Sequence, residues 1–120
     1  MLKLANNRNV NEVKEIAVIV NDLTSKLYEV EPTHYCFEEV GKLNSLDIVL
    51  DYINHGELGC ALSHLLYVVH GSPIKIDKKY IVVLHRIARE IDLDKECFTN
   101  EKFEQLTLEQ KRWAFNVLDN

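Results

Sequence analysis

Residues 55–71, HGELGCALSHLLYVVHG, decide how this chain folds. An apolar run with helical spacing follows two glycines, Gly56 and Gly59, that stand on either side of an acidic residue. Because glycine costs a helix about 1 kcal/mol relative to alanine, two so close together indicate a backbone requirement or a close approach by another helix. We expect Gly56 to end one helix in the left-handed conformation. We expect Glu57 to open the next helix, where its charge favours the helix dipole.

The joint between these two helices, at residues 54–58, is therefore very short. Helices joined so tightly form a hairpin or a sharp corner, with their backbones close together at the joint. We expect Gly59, Cys60 and Ala61 to supply small side chains where the second helix, 57–70, approaches its neighbour.

The N-terminal part of the chain also repeats its apolar residues every three or four positions, which predicts a helix. We place this helix at 10–29, with Asn9 as its cap and Glu12 completing a capping box. It should end before Pro32, because proline disfavours helix at the residue before it. Residues 33–43 fit either a short helix or an irregular crossing.

Three further helices follow from the same spacing. The helix before the corner should be capped by Asn44 or Ser45 and should bury one apolar stripe: Leu46, Val49, Leu50 and Ile53. A second helix should start at Asp77, which caps it. The β-branched residues of this segment hint at a strand, but its apolar stripe extends well past them, so we expect a helix. A third, of about ten residues, should begin with a capping box formed by Thr107 and Gln110 and be anchored by Trp113 or Phe115.

The composition agrees with a helical protein. Only four glycines and two prolines occur among 120 residues, which disfavours a turn-rich β fold, and 47% of the residues are hydrophobic. The sequence therefore predicts one domain, 1–120, with an all-α fold: a single compact bundle of five or six helices with a tight helix–helix corner at 54–58.

The charges are distributed unevenly. The net charge is −5, but residues 29–57 carry seven acids and one base, whereas 75–89 carry five bases and one acid. Acidic segments argue against nucleic acid as a direct partner, because phosphates are bound by clustered Lys and Arg. They fit a basic protein partner, and the more common alternative is an ordinary acidic surface.

No feature of the sequence predicts a membrane segment or a disulfide framework. The longest aliphatic run, Ile16–Val20, is far shorter than the roughly 20 residues of a spanning helix, and no apolar signal core opens the chain. We therefore expect a cytoplasmic protein. Cys36, Cys60 and Cys97 are widely spaced and lack a C-x-x-C pattern, so we expect buried free thiols.

The residue types that carry catalysis do not occur at the usual spacings. Five histidines are present, but no two are separated by four positions, and the zinc, nucleophile-elbow and phosphate-loop motifs are absent. Cys60 and His64 could meet on one helix face, yet Cys60 lies beside the predicted core, where thiols are inert. We therefore predict no enzyme activity, no cofactor and no metal, which leaves protein recognition.

The acids of 29–57 fall near the corner together with Tyr52, and an aromatic ring beside acids on a rigid corner is typical of a binding hot spot.

The order of four motifs over residues 46–94 resembles a known group of proteins. They read D-Y-I-N-H-G-E, L-G-C-A-L-S-H-L-L, I-x-I-D-K-K-Y and I-A-R-E-I-D-L-D. This order resembles the small helical immunity proteins of bacterial polymorphic toxin systems, above all the Maf-type family and its kin in contact-dependent growth inhibition. The most specific element is HGELGCAL at 55–62, whereas the family usually carries glycine where Asp92 stands.

The resemblance implies a cytosolic antidote that binds a cognate toxin domain, commonly a basic nuclease, and blocks its active site or substrate path. The residues that we expect to contact the toxin are Asp47, Asp51, Tyr52 and Glu57, with Glu38 and Glu39 as rim charges. Asp47 and Glu57 would equally serve as helix-end charges, and Tyr52 as half-buried packing. The alternative is a helical adaptor or regulatory domain that binds a peptide, or forms a homodimer, through an apolar groove.

Overall fold

The described part of the chain consists of helices. The computed structural model describes residues 7–38, 43–93 and 103–106, and within these ranges it contains no strand. The α-helices are α1 (Asn7–Val30), α2 (Ser45–Asn54), α3 (Leu58–Gly71) and α4 (Lys78–Glu90), a short 3-10 helix spans Tyr35–Glu38, and residues 103–106 form one further helical turn. The predicted all-α fold and the corner at 54–58 are confirmed.

Helix α3 lies at the centre of the core. It packs against α2, α1 packs against both of them, and α4 packs against α1 and α3. Helix α3 has the largest set of buried side chains, which cover more than one face: Leu58, Ala61, Leu62, Leu65, Leu66, Val68 and Val69. Helix α1 buries a single stripe, including Val13, Ile16, Ala17 and Val20, as expected for an amphipathic helix at the surface.

The predicted N-terminal cap of α1 is wrong. The helix begins at Asn7, so Asn9 lies inside it, where it is buried. The Nδ2 atom of Asn9 donates to a Glu90 carboxylate oxygen at 2.7 Å, and its Oδ1 atom accepts from Arg86 at 3.3 Å. The side chain therefore joins α1 to α4 instead of capping its own helix. The hydrogen-bond partners of Asn9 are far away in the sequence, and the local spacing that suggested a capping box does not reveal them.

Arg86 links the same two helices through charge. Its Nη2 atom donates to Glu12 at 2.8 Å, and Arg8 donates to the same carboxylate oxygen at 3.0 Å. The hydrogen bond from Arg86, together with the positive charges of Arg86 and Arg8, lowers the pKa of Glu12. Because the pKa is lower in the folded state, the resulting stabilisation is complete above the pKa of glutamate in the unfolded chain. It is lost as the pH falls through the folded-state pKa.

The remaining predicted elements have mixed outcomes. The short 3-10 helix Tyr35–Glu38 stands where a short helix or an irregular crossing was expected. Neither candidate side chain caps α2, because Asn44 makes no side-chain cap bond and Ser45 is buried in the first turn. Asp77 does cap α4, since its carboxylate accepts from the Lys79 backbone N–H at 3.0 Å. The capping box at 107–110, with Trp113 and Phe115, lies outside the described residues.

Candidate functional site

The backbone fixes the corner between α2 and α3. Gly56 has a φ of +72°, its N–H donates to the Ile53 carbonyl at 3.0 Å, and the Glu57 N–H donates to the Tyr52 carbonyl at 2.9 Å. This pair of bonds is the Schellman motif, in which a left-handed residue just past the helix satisfies its last carbonyls. The prediction for Gly56 is confirmed, and α3 begins two residues later.

The second glycine has a different environment. A Cβ atom built at Gly59 has nothing within 4 Å, and Cys60 is exposed. The predicted close approach of small side chains is therefore wrong at these two positions, and so is the predicted burial of the Cys60 thiol. Only Ala61 of the three small residues is buried. Cys36 is buried as expected, whereas Cys97 lies outside the described residues.

The two glycines should respond in opposite ways to alanine. Gly56→Ala places a Cβ on a left-handed residue, so we expect the free energy of unfolding to fall by about 1 kcal/mol. Gly59→Ala fills open space in the first turn of α3, so we expect a gain of about 0.5–1 kcal/mol. Urea denaturation of both variants checks this pair. Equal destabilisation by both would contradict the assignment of the left-handed turn to Gly56 alone.

Four side chains at this corner form the candidate site, which we name the acidic corner: Asp47, Asp51, Tyr52 and Glu57. The three carboxylates are exposed, and Tyr52 is half-buried against the core. Asp47 and Asp51 stand one helical turn apart on one face of α2. Glu57 precedes α3, and its side chain makes no capping bond, so its carboxylate is not used by the helix.

The carboxylates of the acidic corner are not neutralised by the described part of the chain. Within that part, none of them forms an ion pair with Lys or Arg. Acids on other helices do form such pairs, since Glu12 pairs with Arg86 at 2.8 Å and Asp22 with Lys26 at 3.0 Å. The corner therefore combines a fixed backbone with negative charge that no described Lys or Arg compensates.

His55 stands between two of these acids. Its Nδ1 atom donates to the Asp51 backbone carbonyl at 2.7 Å and lies 3.6 Å from the Asp51 carboxylate. That hydrogen bond, followed by the charges of Asp51 and Glu57, raises the pKa of His55. Protonation at acidic pH places a positive charge beside the carboxylates, so the corner is most negative when His55 is neutral.

The two predicted rim charges remain a prediction. Glu38 is exposed on the 3-10 helix, and Glu39 lies outside the described residues. The structure instead places Glu38 beside aromatic rings that sequence reasoning missed. The rings of Tyr28 and Phe37 meet edge to face with their centroids 5.2 Å apart, and His34 stacks on Tyr35 with the ring centroids 4.5 Å apart. The sequence signal is the run HYCF at 34–37, which begins six residues after Tyr28.

Neither a metal site nor a membrane-spanning helix is found in the described part of the chain. Among the described residues, no three His, Cys, Asp or Glu side chains are grouped so that they could hold a metal ion, and no helix there has the length and hydropathy needed to cross a bilayer. No protein-family model, no curated protein and no solved structure matches the chain. The resemblance to immunity proteins therefore stays a prediction.

Proposed function

We propose that this chain is an immunity protein that binds a cognate toxin domain in the cytosol and blocks its active site or substrate path without catalysing a reaction. The observation that supports this proposal is the acidic corner: exposed carboxylates that the described part of the chain leaves without a Lys or Arg partner. Elsewhere in the described part, Glu12 and Asp22 are paired, whereas Glu29, Glu31 and Glu38 are not, so what distinguishes the corner is its carboxylates together with the fixed turn at Gly56.

The physical properties of the corner suit a basic partner. Nuclease domains present Lys and Arg to bind phosphates, and carboxylates on a protein surface can occupy the same positions. Opposite charge also accelerates encounter and fixes orientation. Because the Schellman turn at Gly56 already holds α2 against α3, little ordering is needed on binding, and Tyr52 supplies a partly buried ring beside Asp51 in the sequence.

Co-expression tests the proposal. The toxic C-terminal domain of a large secreted protein encoded directly upstream should stop bacterial growth, and co-expression of this chain should restore it. The purified pair should associate more slowly as salt is raised, because screening weakens steering. An adaptor that used an apolar groove would show little salt dependence. Failure to restore growth, with both proteins present at comparable levels, would refute the proposal.

A further inference from the structure

A second surface lies where α1 ends and the 3-10 helix follows. We name it the aromatic end and define it by Tyr28, Val30, His34, Tyr35 and Phe37. Val30 is 79% exposed, Tyr35 70% and Tyr28 43%. Three of the seven large hydrophobic side chains that are exposed in the described residues therefore fall within eight consecutive positions. Such a concentration marks a contact surface more often than scattered single residues do.

The rings of the aromatic end are held in place before any partner arrives. Phe37 meets the edge of Tyr28 at 5.2 Å, and His34 stacks on Tyr35 with 28° between the planes. The Cys36 backbone N–H donates to Nδ1 of His34 at 3.1 Å, and the buried Cys36 side chain anchors the turn. His34 stacks on Tyr35, and 70% of Tyr35 remains exposed, so the ring is accessible to a ligand.

The charges around these rings are negative. Glu29, Glu31 and Glu38 are exposed, and no Lys or Arg within the described ranges forms an ion pair with them. Lys26, the nearest base on the N-terminal side, is paired with Asp22 at 3.0 Å, and Lys42, the nearest base after Glu38, lies outside the described residues. The surface therefore combines exposed aromatic rings with carboxylates that no described Lys or Arg pairs.

We infer that the aromatic end binds an arginine-bearing segment of a protein partner. A guanidinium group stacks on an aromatic face and donates two parallel hydrogen bonds to a carboxylate, so it uses both features at once. The lysine ammonium is more strongly hydrated and lacks the planar fork. An apolar segment would instead desolvate the carboxylates without compensation. These residues are distinct from the acidic corner, so the inference does not rest on the proposed function.

Titration with short peptides tests this inference. The probes are two acetylated and amidated peptides of glycine with three arginines or three lysines, added to the full chain and followed by amide and tyrosine-ring NMR shifts. We expect the arginine peptide to bind about two- to fivefold more tightly, as for a cation–π contact at an exposed site. Tyr35→Ala should remove this preference, and Tyr35→Phe should keep it because the ring face remains.

Control variants distinguish binding at the aromatic end from the loss of any exposed tyrosine and from a change in net charge. Tyr67→Ala removes an exposed tyrosine from α3 and should leave the preference intact. Glu31→Gln should weaken arginine-peptide binding, whereas Glu15→Gln, an equal charge change at an exposed position of α1, should not. Equal affinity for both peptides, or a preference that survives Tyr35→Ala, would overturn the inference. Neither result would affect growth rescue through the acidic corner, so the two proposals fail separately.

Discussion

Replacing Leu62 by alanine should lower the free energy of unfolding by about 3–5 kcal/mol. Leu62 is fully buried in α3, the helix that α1, α2 and α4 all contact. Truncation removes apolar contacts and leaves a cavity that the surrounding helices can only partly fill, because each is held by its own packing. Since a domain of this size is stable by only about 5–15 kcal/mol, the variant should unfold at a much lower urea concentration.

The matched control is Leu43→Ala, the same truncation at a side chain that is 41% exposed. We expect a change within about 0.5 kcal/mol there, as for surface substitutions in general. Both variants are measured by urea denaturation, with an unchanged slope against denaturant showing that the two-state analysis holds. Similar losses at the two positions would contradict the placement of α3 at the centre of the core.

Local sequence signals are sufficient to predict most of the helices. The prediction of 10–29 for α1 differs from Asn7–Val30 by a few residues, and Gly56 occupies the left-handed position that its place after a helix indicated. These features depend on neighbours in sequence: apolar spacing, proline, and a glycine at a helix end. Asn9 was misassigned because its partner, Glu90, lies in a helix 81 positions away, and no local pattern encodes such a contact.

The candidate site was predictable only in part. The exposed carboxylates of α2 follow from the same periodicity that buries Val49. By contrast, Glu38 could not be placed, because residues 31–38 have no helical repeat that sets which side chain faces outward. Cys60 was misjudged for a different reason: it lies two positions from both Leu58 and Leu62, and two steps of about 100° put it on the opposite side of the helix. The helical period alone therefore predicts that Cys60 is exposed.

On the proposed function, reversing two charges at the acidic corner should abolish inhibition of the cognate toxin domain. In the described structure, no Lys or Arg forms an ion pair with these carboxylates. Asp51→Lys with Glu57→Lys replaces two of the negative charges by positive charges, which repel a basic partner. Asp47 is kept because it lies in the first turn of α2, where a negative charge favours the helix dipole. At low salt we expect the association rate constant to fall by about 10- to 1000-fold, and co-expression should no longer restore growth.

The control carries the same change in net charge at two other exposed positions, Glu15→Lys with Glu104→Lys. Net charge alone would slow both double variants equally, whereas a corner-specific contact slows only the first. Circular dichroism and urea denaturation should show both variants folded, since none of the four side chains is buried. If the corner variant neutralises the toxin as well as the control does, the toxin binds elsewhere on the chain, and the acidic corner is only a solvated surface.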